Sequence, residues 1–236
     1  MAKFFVGITG GSGHAYAERL VRELAAAGHD VQVSITPAGC KVLRHELGID
    51  AGPGGERLEE ALRAHLGPEL GARVRGFRAD AVEAPPSSGT SLTGGVVICP
   101  CSMGTLARVA VGFSSNLVER AADVALKERR DLVLVPRESP LSQIHLENML
   151  RLARMGATIL PAMPGFYHHP KTVDDLVGHV VGKILDRLGV ANRAGARWQG
   201  LGRPTTEPPD EPGTGAPPPP DPLCANPPSA GEAAAP

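Results

Sequence analysis

The chain has 236 residues, a formal net charge of −1 and only 3% aromatic residues. So small a charge, without a basic stripe interleaved with aromatic side chains, excludes a dedicated nucleic-acid-binding surface. There is no apolar stretch of about 18 residues and no signal-peptide pattern. The four cysteines match neither a disulfide framework nor a zinc site. These features predict a soluble, cytoplasmic protein with an aliphatic core.

Residues 201–236 differ in composition from the rest of the chain. They hold 12 of the 23 prolines, including the run 217–220, and almost no large apolar side chains. Such a segment buries too little surface to offset its ordering entropy, which predicts a disordered, partly polyproline-II tail without activity of its own. Its acidic residues outnumber its single arginine, so residues 1–200 are mildly positive. Residues 1–200 are long enough for one well-packed domain.

Predicted strands and helices alternate along residues 1–200. Short, continuous apolar runs are typical of strands buried on both faces, and segments with one apolar face predict helices. Strands are expected at 3–8, 30–35, 95–99, 131–135 and 157–160, and helices at 14–27, 41–46, 102–111, 116–129, 140–155 and 173–188. This alternation predicts an α/β fold, a doubly wound, Rossmann-like or flavodoxin-like parallel sheet with helices on both faces.

Residues 50–80 fit this alternation less well. Helical periodicity over 56–65 is surrounded by glycines, so we expect a surface excursion there. Two later helix starts are clearer. Ser139, followed by proline, predicts one N-cap, and Thr172 with Asp175 three residues later is typical of a capping box.

A glycine-rich turn, Thr9–Gly13, follows the first predicted strand and opens a helix. Glycines let the backbone approach a phosphate, and a helix N-terminus favours negative charge. Only part of the dinucleotide pattern G-x-G-x-x-G is present, because Tyr16 stands where the third glycine belongs. The second strand also ends without an acidic residue for an adenosine ribose. The turn favours a mononucleotide over NAD, with a merely tight β-α turn as the alternative.

Two further strand ends carry polar residues. Pro100–Thr105 supplies hydroxyls and free amides at a helix start, although ordinary capping by Ser102 explains it equally well. Arg137 and Glu138 follow the strand at 131–135. Because ligands of open α/β sheets bind outside the carboxyl ends of the strands, this pair favours anion binding and proton transfer, with a structural salt bridge as the alternative.

Other charged residues are less informative. Arg120 and Lys127, on the predicted helix 116–129, are by default part of a solvated face. His168 and His169 lack a further metal ligand at suitable spacing, so surface histidines are favoured over a metal site.

Taken together, these segments resemble the UbiX flavin prenyltransferases, part of a wider flavoprotein family that includes cysteine decarboxylases. The resemblance runs from Lys3 to about Trp198. Its most specific blocks, in order and at the family's spacing, are 6–13, 100–105, 119–130, 137–140 and 163–170.

The resemblance implies a metal-independent prenyltransferase. It would transfer a dimethylallyl group from dimethylallyl phosphate to N5 and then C6 of reduced FMN, and pass prenylated FMN to a UbiD-type decarboxylase. The family typically forms homo-dodecamers with active sites at subunit interfaces. One alternative, an FMN-dependent cysteine decarboxylase, predicts an Asn in the Pro-x-Ser block, which this chain lacks. Another, a non-catalytic FMN-binding subunit of a decarboxylase complex, predicts loss of Glu138 or Lys127, and both are present.

The resemblance also implies roles for individual residues. The catalytic residues would be Ser12, Glu138 and Lys127. FMN would contact Gly10, Gly11, Ser12, Thr36, Ser102, Met103, Gly104, Thr105 and Arg137. The substrate phosphate would contact Arg120, Lys127, Tyr167 and Lys183, with Arg120 coming from an adjacent subunit. Glu46 matches a further acidic position of the site. Cations are needed because they stabilise a departing phosphate, and an acid/base is needed because ring closure releases a proton.

The chain departs from the family pattern at several positions. Thr36 stands where serine is usual, which keeps the hydroxyl. Lys183 stands where arginine is common, so a bidentate fork becomes a point charge and phosphate affinity is expected to be lower. The 50–80 region is longer than in compact members, and Arg197 with Trp198 resembles the family's C-terminal flap over the site.

Overall fold

Six parallel strands form one sheet in the computed structural model, which describes residues 1–91, 93–198 and 200. The strands are β1 (Lys3–Ile8), β2 (Asp30–Ile35), β3 (Val74–Arg78), β4 (Val96–Cys101), β5 (Leu132–Pro136) and β6 (Thr158–Ile159). The helices are α1 (His14–Ala26), α2 (Pro37–Leu47), α3 (Leu58–Leu66), α4 (Pro68–Gly71), α5 (Met103–Ala110), α6 (Leu117–Lys127), α7 (Gln143–Arg154) and α8 (Val173–Arg187). The tail expected at 201–236 lies outside the described residues.

The strand order is β3-β2-β1-β4-β5-β6, and every neighbouring pair is parallel. This is the doubly wound Rossmann order, in which the winding reverses between β1 and β4. Alternate residues of the buried strands pack into two cores, one on each face, as Val6 and Phe5 do. One core contains residues of α1 and α8, and the other contains residues of α5, α6 and α7. The predicted fold class is confirmed.

Residues 50–80 form α3, α4 and the edge strand β3 of the domain, so the expectation of a surface excursion is wrong. Leu58 and Leu62 of α3 are buried in the core, and β3 pairs with β2 along its length. Strand β3 is an edge strand with a partly exposed surface, so it lacks the apolar run that marks the other strands. Gly76 within it lies so close to α3 that a Cβ there would be 2.7 Å from the Glu59 nitrogen.

Helix α7 begins at Gln143 and is capped by Ser142, so the predicted start at Ser139 is wrong. The reason is a reciprocal cap: the Ser142 hydroxyl accepts the His145 N–H (3.3 Å), and the His145 ring accepts the Ser142 N–H (3.2 Å). The capping box predicted at Thr172 is confirmed. The Asp175 carboxylate accepts the Thr172 N–H (2.9 Å), and the Thr172 hydroxyl accepts the Asp175 N–H (3.1 Å).

Strand β4 runs to Cys101, two residues beyond its predicted end, with a shift in its register against β5 between Ile98 and Cys101. Cys40, Cys99 and Cys101 are buried free thiols, and burial raises the pKa of Cys101 to about 12. Such thiols are not nucleophiles at neutral pH. Among the helices that the structure describes, none combines the length and the apolar character that crossing a membrane requires.

Candidate active site

The carboxyl ends of β1 and β4 are joined by Thr9, a buried residue at the point where the strand order reverses. Its hydroxyl donates to the Pro100 carbonyl (2.7 Å) and accepts the Ser102 N–H (2.7 Å). Its backbone N–H also donates to Pro100 (3.3 Å). The two loops predicted to bind a phosphate are therefore held together at the crevice where ligands of this fold class bind.

The turn after β1 offers backbone amides to that crevice. Within the described part of the chain, the N–H groups of Gly10, Gly11 and Ser12 have no hydrogen-bond acceptor. Gly10 also approaches α2 so closely that a Cβ there would lie 2.8 Å from the Cβ of Ala38. Gly13 adopts a φ of 106°, which favours glycine. Amides of this kind at a strand end can bind the oxygens of a phosphate.

Glu46, in the last turn of α2, occupies the N-terminus of α1. Its carboxylate accepts the N–H groups of Gly13 (3.0 Å) and His14 (2.8 Å). Burial alone would raise the pKa of Glu46, but hydrogen bonds from Ser12, His14 and Gly13 hold it below its ordinary value. Glu46 is therefore ionised at neutral pH and sits beside Ser12, and its part in a ligand site stays a prediction.

The Ser102–Thr105 block begins α5. Ser102 is its N-cap, and its hydroxyl contacts the Thr105 hydroxyl (3.1 Å) and accepts the Thr105 N–H (3.4 Å). The capping interpretation of Ser102 is confirmed, and contact with FMN stays a prediction. Met103 and Thr105 are buried and Gly104 is exposed, so a ligand in the crevice would meet this block mainly through backbone and the Ser102 hydroxyl. Thr36 plays a similar part at α2, where its hydroxyl accepts the Gly39 N–H (3.1 Å).

An ion pair between a buried carboxylate and a partly exposed guanidinium supports this block from behind. Glu119 of α6 is 1% exposed, pairs with Arg108 of α5 and accepts hydrogen bonds from Ser115. Burial alone would raise the pKa of Glu119, but its bonds to Ser115 and Arg108 lower it. Arg108 in turn donates to the Thr105 hydroxyl (3.3 Å). This network fixes α5 relative to α6 and so fixes the wall of the crevice.

Arg137 and Glu138 reach the crevice from the end of β5. Arg137 donates to the Ser12 carbonyl (3.3 Å), which joins this strand end to the turn after β1. Glu138 accepts the Ser139 N–H (3.0 Å), and both side chains are exposed. Neither forms an ion pair with another residue in the described ranges, which counts against the structural salt bridge considered above. The pair is available to a ligand.

Tyr167 lies in the loop that follows β6. Its hydroxyl is 2.8 Å from Nε2 of His179, a buried residue of α8, and its ring meets Trp198 edge-on with centroids 5.1 Å apart. The second imidazole nitrogen, Nδ1, accepts the Gly165 N–H (3.2 Å). Lys183 lies one helical turn after His179 and is exposed.

Lys127 lies apart from these residues. Lys127 is the last residue of α6, just before the amino end of β5, and it pairs with Glu128 (2.5 Å). Because the crevice is at the opposite, carboxyl edge of the sheet, Lys127 is not brought to it within one chain. Arg120 pairs with Asp123 (3.0 Å) on the same helix.

Known proteins are similar to this chain in sequence and in architecture. Residues 2–185 match the Flavoprotein family. The chain is 51% identical over 195 residues to the flavin prenyltransferase UbiX of Halalkalibacterium halodurans. The aligned residues make up 83% of this chain and 92% of the relative. The chain belongs to the UbiX family of flavoproteins.

Solved structures of UbiX-family proteins have the same fold. AnUbiX (PadA1), crystallised in complex with FMN and dimethylallyl pyrophosphate, has a TM-score of 0.75 and 33% identity, covering 85% of this chain and 99% of that one. A dodecameric FMN-dependent UbiX-like decarboxylase from Escherichia coli O157:H7 has a TM-score of 0.73 and 40% identity, covering 84% and 100%.

The residues expected at a UbiX-family site fall into three groups. The first follows the carboxyl ends of four strands and includes Gly10, Gly11, Ser12, Thr36, Ser102, Met103, Gly104, Thr105, Arg137 and Glu138. Tyr167 and Lys183 form a second group with α8, and Arg120 and Lys127 on α6 form a third. Sequence reasoning missed Thr9 and His179. The only available signal for His179 was its spacing of four residues from Lys183.

Proposed function

We propose that this chain is a flavin prenyltransferase that transfers a dimethylallyl group from dimethylallyl phosphate to N5 and C6 of reduced FMN, forming prenylated FMN. The observation that carries the proposal is the crevice itself. Three amides without an acceptor in the described residues, Gly10 to Ser12, lie beside exposed Arg137 and Glu138 at the β1–β4 switch point. The relatives supply the ligand chemistry, because AnUbiX binds FMN together with a dimethylallyl donor.

The residues of the crevice fit FMN. The Gly10–Ser12 amides and the Arg137 guanidinium are donors for an FMN phosphate or ring oxygen, and Ser102 adds a hydroxyl. Thr36 still has its hydroxyl proton to donate, because its oxygen only accepts from Gly39. Reduced FMN, when bound, supplies the nucleophilic N5 and C6 positions.

The chain's own cations would stabilise the departing phosphate. Tyr167 offers a phenolic O–H and Lys183 a positive charge on α8. Preorganised donors of this kind stabilise charge that develops in the transition state. Lys127 points to a homo-oligomer, since within one chain it lies at the edge of the sheet opposite the crevice. We infer that Lys127, together with Arg120 of the same helix, serves a neighbouring subunit's crevice in a dodecamer, the assembly of the UbiX-like relative from E. coli.

Ser12, Glu46 and Glu138 would handle protons. Ionised Glu46 lies beside Ser12 and would accept a hydrogen bond from its hydroxyl, which would leave a lone pair of the Ser12 oxygen for the crevice. Glu138 is exposed and, among the residues that the structure describes, accepts only the Ser139 N–H, which leaves carboxylate lone pairs to take the proton released on ring closure.

Two further inferences follow from this activity. Prenylated FMN would pass to a UbiD-type decarboxylase, and both proteins would be cytoplasmic. The cysteine decarboxylase alternative is not favoured, because relatives 40–51% identical to this chain are flavin prenyltransferases and the Pro100 block lacks the Asn that this chemistry predicts. A non-catalytic FMN carrier is not favoured either, because Glu138 and Lys127 are both present.

Phosphate release under anaerobic conditions tests the proposal. Purified protein with reduced FMN and dimethylallyl phosphate is expected to release one phosphate per flavin, and to release none with oxidised FMN. Glu138→Gln should slow turnover by about 100-fold, within the range for a lost general acid/base, whereas Glu60→Gln, at an exposed position of α3, should not. Phosphate release that is independent of flavin, or absent altogether, would refute the proposal. Running dimethylallyl diphosphate in parallel identifies the preferred donor.

A further inference from the structure

His179 has no role in the proposed reaction, yet it is 5% exposed and bonded through both ring nitrogens. Nδ1 lies 3.2 Å from the Gly165 nitrogen, and a backbone N–H can only donate. Nδ1 is therefore an unprotonated acceptor. A neutral imidazole then carries its proton on Nε2, which lies 2.8 Å from the Tyr167 hydroxyl oxygen. The hydrogen bond runs from His179 to Tyr167.

The surroundings of His179 keep its ring neutral and fixed in plane. Burial lowers its pKa, and the nearby His168 and Lys183 lower it further. The His168 ring stacks on it with centroids 5.0 Å apart and an interplanar angle of 10°. A second proton on Nδ1 would also break the bond from Gly165. The Gly165 N–H thus sets the tautomer of the His179 ring, and burial with two neighbouring side chains keeps the ring neutral.

The direction of this bond decides what Tyr167 can do. Its oxygen accepts a hydrogen bond from the His179 Nε2–H, so its own O–H cannot point back at that nitrogen and is directed elsewhere. Tyr167 is 45% exposed, so a ligand can reach this residue. Lys183, one turn along α8, adds positive charge on the same side. An O–H directed outward near a cation is suited to donate to an anionic oxygen.

We propose that His179 is a positioning residue that holds Tyr167 as a hydrogen-bond donor to the phosphate of the dimethylallyl donor. The proposal rests on the proposed function for the identity of that phosphate. His179 itself does not touch the substrate, and acts through the Tyr167 hydroxyl.

Steady-state kinetics tests the role of the hydrogen bond. His179→Phe keeps a planar ring but removes both bonds, and is expected to raise the KM for dimethylallyl phosphate about tenfold, the usual effect of one charge-assisted hydrogen bond. The dissociation constant of FMN should not change. His179→Gln, which can still donate to Tyr167, should recover part of the loss. An unchanged KM in His179→Phe would overturn the proposal.

A double-mutant cycle separates positioning from packing. Tyr167→Phe is expected to raise the same KM, and adding His179→Phe to it should have no further effect, because the hydroxyl through which His179 acts is gone. If His179→Phe raises KM by the same factor with and without the Tyr167 hydroxyl, His179 acts by another route and the proposal is wrong.

Two measurements need no turnover and so distinguish this proposal from the proposed function. In protein labelled with ¹⁵N-histidine, NMR should show a ring protonated on Nε2 and bare on Nδ1, and this signal should disappear in His179→Phe. Calorimetry with inorganic phosphate should show about tenfold weaker binding in the variant. A wild-type protein that passes both tests but transfers no prenyl group would refute the function alone. A ring protonated on Nδ1, or equal phosphate binding, would overturn the role of His179.

Discussion

Replacing Gly10 by alanine tests how closely the end of β1 approaches α2. The added Cβ would lie 2.8 Å from the Cβ of Ala38, so either the turn or the first turn of α2 must move. A Cβ added at Gly11 meets Pro100 at 3.5 Å and the Ser102 nitrogen at 3.7 Å, which are ordinary contact distances. The two substitutions add the same methyl group with different steric consequences.

The expected magnitudes follow from these distances. Overpacking costs about 1–3 kcal/mol, while replacing glycine by alanine gains about 0.4–1 kcal/mol through the unfolded state. Gly10→Ala should therefore lower the free energy of unfolding by about 1–2 kcal/mol, and Gly11→Ala should leave it unchanged or slightly higher. At about 2–4 °C per kcal/mol for a domain of this size, Gly10→Ala should lower Tm by about 2–8 °C. Added to Gly10→Ala, the second substitution Ala38→Gly removes the opposing methyl group and should restore most of the lost stability.

Thermal unfolding at one protein concentration measures these differences among wild type, Gly10→Ala, Gly11→Ala and the Gly10→Ala/Ala38→Gly double variant. FMN titration of the same proteins accompanies it. Gly11→Ala is expected to weaken FMN binding about tenfold without loss of stability, because its methyl group lies where the backbone approaches the ligand. If Gly10→Ala is as stable as Gly11→Ala, or if Ala38→Gly restores nothing, the close approach of β1 to α2 is refuted.

Two carboxylates allow further predictions. Glu46→Gln should be less stable than wild type at neutral pH, because an amide is a weaker partner than a carboxylate for the N-terminus of α1. The pKa of Glu46 lies below its ordinary value of 4.5, so this stabilisation is complete above that value and is lost as the pH falls through the lower folded pKa. Denaturation curves that stay equally far apart in strong acid would contradict this. Glu119→Gln should cost about 1–3 kcal/mol in urea unfolding, less than for a fully buried pair because Arg108 is partly exposed. The matched change Asp123→Asn, in an exposed pair, should cost about 0–1 kcal/mol, and equal costs would show that the Glu119 network is not structural.

The fold was largely predictable because five of the six strands have short apolar runs separated by helical periodicity. Strand β3 was missed for a physical reason. At the edge of the sheet it is only partly buried, so Arg75, Gly76 and Arg78 replace the apolar residues of an interior strand. The start of α7 was misplaced because Ser139 and Ser142 are equally good caps locally. The partner that decides between them is His145.

The strand-end motifs of the site were predictable from local sequence too, because glycines and hydroxyl residues between a strand and a helix are typical of phosphate-binding loops. Contacts between distant residues were not. Thr9 bonds residues more than 90 positions away, and the bond between His179 and Tyr167 depends on how α8 packs beneath the loop after β6. The position of Lys127 relative to the crevice likewise depends on the direction of α6, which a local pattern does not encode.

The mass of the flavin after anaerobic incubation tests the central claim most directly. Protein, FMN, dithionite and dimethylallyl phosphate are combined, and the molecular mass of the released flavin is measured by mass spectrometry. The released flavin is expected to gain one C5H8 unit. This gain should be lost in Glu138→Gln and in Lys127→Ala, and recovered when subunits of those two variants are mixed into one oligomer. Flavin that is bound tightly but keeps the mass of FMN would contradict the central claim.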